Sequence, residues 1–176
     1  FPSIEYVLSK GGKVVRMGDP SMSSVSGIPD IIDYPSSEHW SMPVDLYLLS
    51  KCRFVIGCCS GFSSGFATAF GPPLIVTNLP FPINSAAWPY NTTIVLPLLV
   101  EKKTSGVHMS LSEMSDPLIW DTPAPSSYPI VNTAYAPDWA DYSWVHSTAE
   151  DILRTTQEML DLVDTNGFNK ERTIEQ

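Results

Sequence analysis

Apolar residues along residues 51–78 have the spacing of a strand, a helix and a second strand. Arg53 to Ile56 and Leu74 to Thr77 are short runs rich in β-branched and aromatic residues, which is typical of buried parallel strands. Between these runs, apolar side chains recur at helical spacing at Phe62, Phe66, Ala67 and Phe70. Gly71, which two prolines follow, predicts the end of this helix. The pattern therefore predicts a βαβ unit.

The turn between the first strand and the helix is rich in small residues. Its members are Gly57, Ser60, Gly61, Ser63, Ser64 and Gly65. Glycine and serine leave backbone N–H groups accessible at the N-terminus of a helix, and serine hydroxyls add further donors. The turn therefore predicts a site that can bind an anion.

The segments on either side predict further helices and short strands. Helices are expected over Pro2 to Ser9, over about Met42 to Ser50, and from a capping box at Ser147 to Glu150 up to about Val163. Strands are expected at Lys13 to Met17 and Ile31 to Tyr34. Short apolar strands that alternate with helices need crossover connections. The predicted fold class is therefore α/β, with a mainly parallel sheet and helices on both faces.

In this predicted sheet, Arg53 to Ile56 lies between Val14 to Met17 and Leu74 to Thr77. Arg16 then falls near the carboxyl end of its strand, which is where open α/β sheets bind their ligands. We expect Arg16 to meet a phosphate there; the alternative is an edge-strand arginine that covers its neighbours. Asp33, near the same edge, is expected to be solvated or to cap a helix.

Composition narrows the classes of function. The chain has 176 residues, 43% of them hydrophobic, and a mean hydropathy near zero, which indicates one soluble globular domain. The net charge of −9 comes mostly from the second half, and the absence of clustered Lys and Arg argues against nucleic acid as a partner. No apolar run approaches the roughly 20 residues that span a bilayer, and no signal peptide is visible. We therefore expect a cytoplasmic protein without a membrane span.

Several other features shape these expectations. Cys52, Cys58 and Cys59 are predicted to be buried small residues, and no zinc-type ligand spacing occurs, so no metal site is expected. Residues 116–146 form a stretch rich in proline and tryptophan, for which we predict irregular structure. The chain starts at Phe1 without a methionine, and we expect it to be a fragment of a longer, two-domain protein.

A hydrolase is one interpretation of the serine-rich turn. Residues 61–65 read Gly-Phe-Ser-Ser-Gly and match the G-x-S-x-G pattern of a nucleophile elbow, with Ser63 as the nucleophile. Triad partners would follow in the order a hydrolase needs, from Asp116, Asp121 or Asp138 and then His146. Only about two strands precede the motif, however, which makes a serine esterase the less favoured interpretation.

The second interpretation is a nucleotide-sugar site. The segments GGKVVRMGDP, IIDYPSS, DLYLLSKCRFVIGCCSG, FGPPLIVTN and STAEDILRTTQEML together resemble the C-terminal half of GT-B-type bacterial glycosyltransferases. The most specific pieces are Val14 to Gly18, the Ser60-Gly61 turn, and Phe70-Gly71 leading into Thr77-Asn78. The resemblance covers most of the chain and implies a single Rossmann-like domain over residues 1–176.

The resemblance also implies a function. In this class the C-terminal domain holds the diphosphate of a nucleotide-sugar donor, often without a metal, and no cofactor is expected. Carried over to this sequence, the substrate-binding residues would be Arg16, Gly18, Ser60, Gly61, Ser63, Ser64 and Asn78. The implied partners are the nucleotide-sugar donor, an acceptor that the sequence does not identify, and an N-terminal domain. A related domain that binds such a donor without catalysis is the alternative.

Overall fold

The computed structural model describes residues 1–25, 27–28, 30–58, 60–79, 92–114 and 142–165. Its α-helices are α1 (Pro2–Ser9), α2 (Met42–Lys51), α3 (Thr68–Phe70), α4 (Leu111–Met114) and α5 (Ala149–Asp164). A 3-10 turn spans Tyr34–Ser36, and a π-helical segment, Phe62–Ala67, leads directly into α3. The strands are β1 (Val14–Arg16), β2 (Ile31–Asp33), β3 (Val55–Cys58), β4 (Leu74–Leu79), β5 (Thr93–Pro97), β6 (Leu99–Lys102), β7 (Val107–His108) and β8 (Tyr142–Val145). The protein is mixed α/β, as the sequence predicts.

The described strands form three hydrogen-bonded groups. Strands β1 and β2 are parallel, and β3, β4 and β5 form a second parallel group in that spatial order. Strand β6 lies between β7 and β8 and pairs antiparallel with both. Parallel neighbours need crossover connections, and the helical segment that runs from Phe62 to Phe70 supplies the one between β3 and β4.

The predicted βαβ unit at residues 51–78 is confirmed. Strand β4 is its inner strand: Leu74, Ile75 and Val76 are at most 1% exposed, because β3 and β5 pair with its two edges and helical segments pack against it. The helix before β4 ends where expected, at Gly71, whose φ of 69° is left-handed and suits glycine. A core cluster of Leu49, Ala67, Leu74, Val76 and Leu79 joins α2, the π-helical segment and β4.

The first strand of the unit is β3, which begins at Val55, two residues later than expected. The Val55 N–H donates to the Pro73 carbonyl at 2.8 Å, just before β4 begins.

The predicted order of strands is wrong in one respect. The hydrogen-bonded neighbour of β3 in the described sheet is β4, whereas β1 pairs with β2. The parallel neighbour of β1 is therefore β2, Ile31–Asp33, and not the predicted Arg53 to Ile56.

The interval 116–146 also differs from its prediction as irregular structure. Its end, Tyr142–Val145, is strand β8, which pairs along β6 so that Trp144 lies opposite Val100. Val100 and Met109 are buried in a second core cluster, against which Leu99 and Trp144 pack. Packing against this cluster therefore explains why a tryptophan occurs at position 144. Residues 115–141 lie outside the described part of the chain.

Helix α5 is capped one residue later than the sequence predicts. The N-cap is Thr148, and the reciprocal partner is Asp151: Thr148 Oγ1 accepts from the Asp151 N–H at 3.1 Å, and the Asp151 carboxylate accepts from the Thr148 N–H at 2.9 Å. Ser147 lies outside the helix because its N–H donates to the Asn78 side chain, 2.7 Å away. A capping box is present, but Thr148 and Asp151 form it rather than the predicted Ser147 and Glu150.

The inner face of α5 packs on α1, β4 and β5. Met159 is fully buried, and the buried threonines Thr155 and Thr156 satisfy their hydroxyls on carbonyls four residues earlier in the helix, at 2.8 and 2.7 Å. None of the helices in the described ranges is both long and apolar enough to cross a membrane.

Leu160 tests how much of the stability depends on this face. The side chain is 8% exposed, so Leu160→Ala removes buried methyl groups and leaves a cavity. We expect the free energy of unfolding to fall by about 2–5 kcal/mol. Asp161→Ala, at an exposed position of the same helix, is the matched control and should change it little. Equal denaturation midpoints for the wild type and Leu160→Ala would contradict this assignment to the core.

Candidate functional site

Two serines close the turn that follows β3. The hydroxyl of Ser63 donates to the Cys58 carbonyl, and the Ser60 and Ser63 Oγ atoms lie 3.1 Å apart. Longer bonds of 3.4 Å run from each serine's backbone N–H to the other's Oγ. Ser63 is only 1% exposed, so its hydroxyl stabilises the turn and does not face solvent. Ser60 is exposed and remains able to face a ligand.

Gly57 lets the helix approach the strand closely. A Cβ atom at this position would lie 2.8 Å from the Ser63 Cβ and 3.2 Å from its Oγ, which is too close for a side chain. The Gly57 carbonyl also accepts a hydrogen bond of 3.3 Å from Thr77 Oγ1 on the neighbouring strand. These two contacts at Gly57 fix the positions of the turn and of β4 relative to β3.

The helical segment after this turn starts at Gly61. Gly61 is exposed and has no side chain that could cap the helix, and the Ser63 N–H in the first turn donates to Ser60 Oγ at 3.4 Å. The first N–H groups of a helix have no partner within it and carry the positive end of the helix dipole. Single π-helical turns of the kind seen at Phe62–Ala67 are frequent at functional sites. Ser64 lies on the same segment, and its side chain is outside the described part of the structure.

Arg16 and Asp33 form an ion pair at the carboxyl ends of β1 and β2. They lie opposite each other in the register of the two strands, and Arg16 Nη1 is 2.6 Å from Asp33 Oδ1. Their side chains are 14% and 17% exposed, so the pair is partly screened from water. Asp33 was expected to be solvated or to cap a helix, and this interpretation is wrong. The strand register places the carboxylate beside the guanidinium instead.

The second oxygen of Asp33 is also occupied. Oδ2 accepts from the Val25 N–H at 2.9 Å and from Ser36 Oγ at 3.2 Å. These contacts, the Val25 N–H foremost and the Arg16 guanidinium after it, lower the pKa of Asp33, although burial opposes them. The carboxylate therefore joins two strand ends to the loop between them.

Gly18 lies in that loop, directly beyond the end of β1. Its φ is 150°, and a Cβ atom there would lie 2.6 Å from Met22 Sδ. The Gly18 carbonyl accepts a hydrogen bond of 3.2 Å from Trp40 Nε1. The Gly18 backbone thus lies under two side chains, Met22 and Trp40, that are themselves 50% and 40% exposed.

Asn78 links β4 to the residues directly before α5. The residue has a left-handed φ of 53°, at the irregularity that shifts the β4–β5 register between Val76 and Leu79. Its side-chain oxygen accepts from the Ser147 N–H. An asparagine tolerates this backbone conformation better than most residues do, and its amide group fits the contact.

The predicted site residues therefore fall into separate groups. Ser60, Gly61 and Ser63 lie together beyond β3, Arg16 and Gly18 lie beyond β1, and Asn78 lies near the end of β4. Over the described ranges, no hydrogen bond or ion pair joins Arg16 to the serine turn. Each group lies at the carboxyl end of a parallel strand, the end at which α/β sheets bind ligands.

The role of Asp33 as the partner of Arg16 is not predicted from the sequence. One signal for it is present: Arg16 and Asp33 carry opposite charges and each stands one residue before the end of its predicted strand. Parallel pairing of these two strands brings the two side chains together. The additional contacts from Val25 and Ser36 had no recognisable sequence signal.

The cysteines are not placed as predicted. Cys52 and Cys58 are exposed free thiols, and Cys59 lies outside the described residues. Cys58 shares the outward side of β3 with Ile56, since side chains alternate along a strand. In the part of the chain that the structure describes, no group of three or more His, Cys, Asp or Glu side chains is arranged to hold a metal ion.

The chain was compared with protein-family models, curated proteins and solved structures, and nothing matches it.

The close approach at Gly57 can be tested directly. Gly57→Ala forces the new methyl group against Ser63 and should lower the free energy of unfolding by about 1–3 kcal/mol. Gly65→Ala is the matched control, because an added Cβ there has no neighbour within 4 Å. Within a helix this change should be neutral or stabilising. Equal losses in chemical denaturation of the two variants would contradict the packing described for Gly57.

Asp33 should make stability depend on pH. A lowered pKa means that folding favours the ionised carboxylate, so the stabilisation is present above the unfolded-state pKa and is lost as pH falls through the folded one. Asp33→Asn should therefore melt at a lower temperature than wild type near neutral pH. The difference should shrink below about pH 4. A difference in melting temperature that is constant with pH would show that the charge is unimportant.

Proposed function

We propose that this chain is the nucleotide-sugar-binding domain of a glycosyltransferase, of the Rossmann-like type found as the C-terminal half of GT-B enzymes. The diphosphate of the donor would lie beyond the carboxyl ends of β1 and β3. The parallel βαβ unit with its polar turn supports this proposal, as does the resemblance of five sequence segments to that class.

One observation carries the proposal: Arg16 is held at the end of a parallel strand, and most of its donors have no partner among the described residues. A guanidinium has five N–H donors in a planar fork. Within the described residues, its hydrogen bond is the one from Nη1 to Asp33. We propose that Nη2 and Nε bind a phosphate oxygen, since the planar guanidinium suits the geometry of such oxygens.

The start of the helical segment at Gly61 would provide a second set of donors. Its backbone N–H groups, other than that of Ser63, which donates to Ser60 Oγ, suit an anion in the same way as other helix N-termini that follow parallel strands, and Ser60 is exposed beside them. A protein of net charge −9 does not attract a diphosphate through its overall field, so local donors of this kind are required.

The chemistry of sugar transfer fits these donors. Breaking the bond between the sugar and the diphosphate leaves additional negative charge on the diphosphate. Preorganised N–H groups and a fixed positive charge stabilise that developing charge and so lower the barrier. The acceptor and the base that activates it would be bound by another domain, and no residue here is assigned as the base.

The geometry does not favour the esterase alternative. A nucleophilic serine must reach a substrate, whereas Ser63 is 1% exposed and donates its hydroxyl to the Cys58 carbonyl. Its φ is not among the positive values that a strained nucleophile elbow would show. A domain that binds a nucleotide sugar without catalysis would use the same donors, and a sugar-transfer assay separates it from an enzyme.

Arg16→Ala is the main test of this proposal. The substitution should weaken binding of UDP, GDP or dTDP by about 1.5–3 kcal/mol, the scale of a hydrogen bond to a charged group. Isothermal titration calorimetry measures the change. Arg154→Ala, which removes an exposed arginine on α5, is the matched control and should leave the affinity unchanged. Wild-type affinity in Arg16→Ala would refute the proposed site.

A further inference from the structure

We infer that Asp33 is a positioning residue, which fixes the Arg16 guanidinium so that its remaining donors meet an oxyanion of the ligand. This inference rests on the proposed function and concerns the same anion site. Asp33 itself would not touch the ligand.

The pair is built into the pairing of two strands. Arg16 and Asp33 are the last residues of β1 and β2 and lie directly opposite each other in the parallel register. The contact uses Nη1 alone, at 2.6 Å, and both side chains are mostly shielded from solvent. A free arginine side chain samples many rotamers, and this contact removes much of that freedom before a ligand binds.

Asp33 is in turn held from two directions. The Val25 N–H comes from the loop after β1, and Ser36 Oγ comes from the 3-10 turn after β2. Ser36 Oγ also lies 3.2 Å from Ser24 Oγ, which belongs to the same loop. With both oxygens engaged, the carboxylate has little capacity left for a ligand hydroxyl, so its influence on binding has to pass through Arg16.

Asp33 could affect anion binding in two opposite ways. Its negative charge offsets the positive charge of Arg16 and by itself would weaken the attraction for an anion. Its hydrogen bond orients the guanidinium and strengthens binding. A change that removes the carboxylate therefore raises affinity if neutralisation dominates and lowers affinity if positioning dominates. The sign of the effect decides between the two roles.

The test is a double-mutant cycle on the full chain. Wild type, Arg16→Ala, Asp33→Ala and the double variant are titrated calorimetrically with inorganic pyrophosphate and with UDP, GDP and dTDP. We expect Asp33→Ala to weaken binding about tenfold, the lower end of the effect of a charge-assisted hydrogen bond. In the Arg16→Ala background, the same substitution should have no further effect.

Two further variants keep the outcome interpretable. Asp33→Asn retains the size of the side chain and should also weaken binding, by less than alanine does, so it replaces Asp33→Ala if that variant does not fold. Asp19→Ala removes a negative charge from the same loop, where the Asp19 carboxylate accepts from the Ser21 N–H and does not contact Arg16 in the described structure. Asp19→Ala should leave binding unchanged or slightly tighter.

The outcomes are distinct. Tighter binding by Asp33→Ala, or a loss that persists without Arg16, would overturn the positioning role and leave the proposed anion site standing. No effect of Arg16→Ala on any of the four ligands would overturn the proposed site and this inference with it. If wild type binds neither pyrophosphate nor a nucleotide, both are overturned.

Discussion

The burial of β4 is the constraint on which the rest of the structure depends. Its first three residues are almost completely excluded from water, so their backbone groups need partners on both edges, and β3 and β5 provide them. A shift of one residue in its register would move each apolar side chain of β4 to the opposite face of the sheet, away from the helix against which it packs, and this is costly. In the observed register, Gly57 lies opposite Val76 and Cys58 lies opposite Thr77. Because β3 ends at Cys58, this pairing fixes where the serine turn begins.

Two small arrangements then fix the polar groups at the ends of β3 and β1. At β3, a buried serine hydroxyl and a missing side chain at Gly57 keep the helix start close to the strand. At β1, a carboxylate satisfied on both oxygens restrains an arginine that makes no other side-chain hydrogen bond within the described residues. In both places the protein itself orders the polar groups, and preorganisation of this kind would reduce the entropy lost if an anion binds there as proposed.

Much of the local structure could be predicted from the sequence, because its signals are local. Gly71 before two prolines, the apolar spacing from Phe62 to Phe70 and the capping residues at the start of α5 each act over a few positions. The neighbours of β1 could not be predicted, because strand order depends on contacts between distant residues. Ser63 shows the same limit for the site: a G-x-S-x-G pattern does not reveal whether its hydroxyl faces solvent or a backbone carbonyl.

The π-helical turn has a consequence for how this protein tolerates changes in length. A π turn contains one residue more than the α-helical turn it replaces, so a deletion within it could be absorbed by reverting to α geometry. Such a deletion between Ser63 and Ala67 would leave the residues beyond it close to their present orientation, because the α-helical turn that forms takes up the missing residue. Ser63 and Ala67 are both 1% exposed, one against the turn and the other in the core. They are four residues apart now and would be three apart after the deletion, and positions three or four apart share one face of an α-helix. The π-helical turn is thus a place where the chain can lose one residue while the turn and the core stay buried against the same helix.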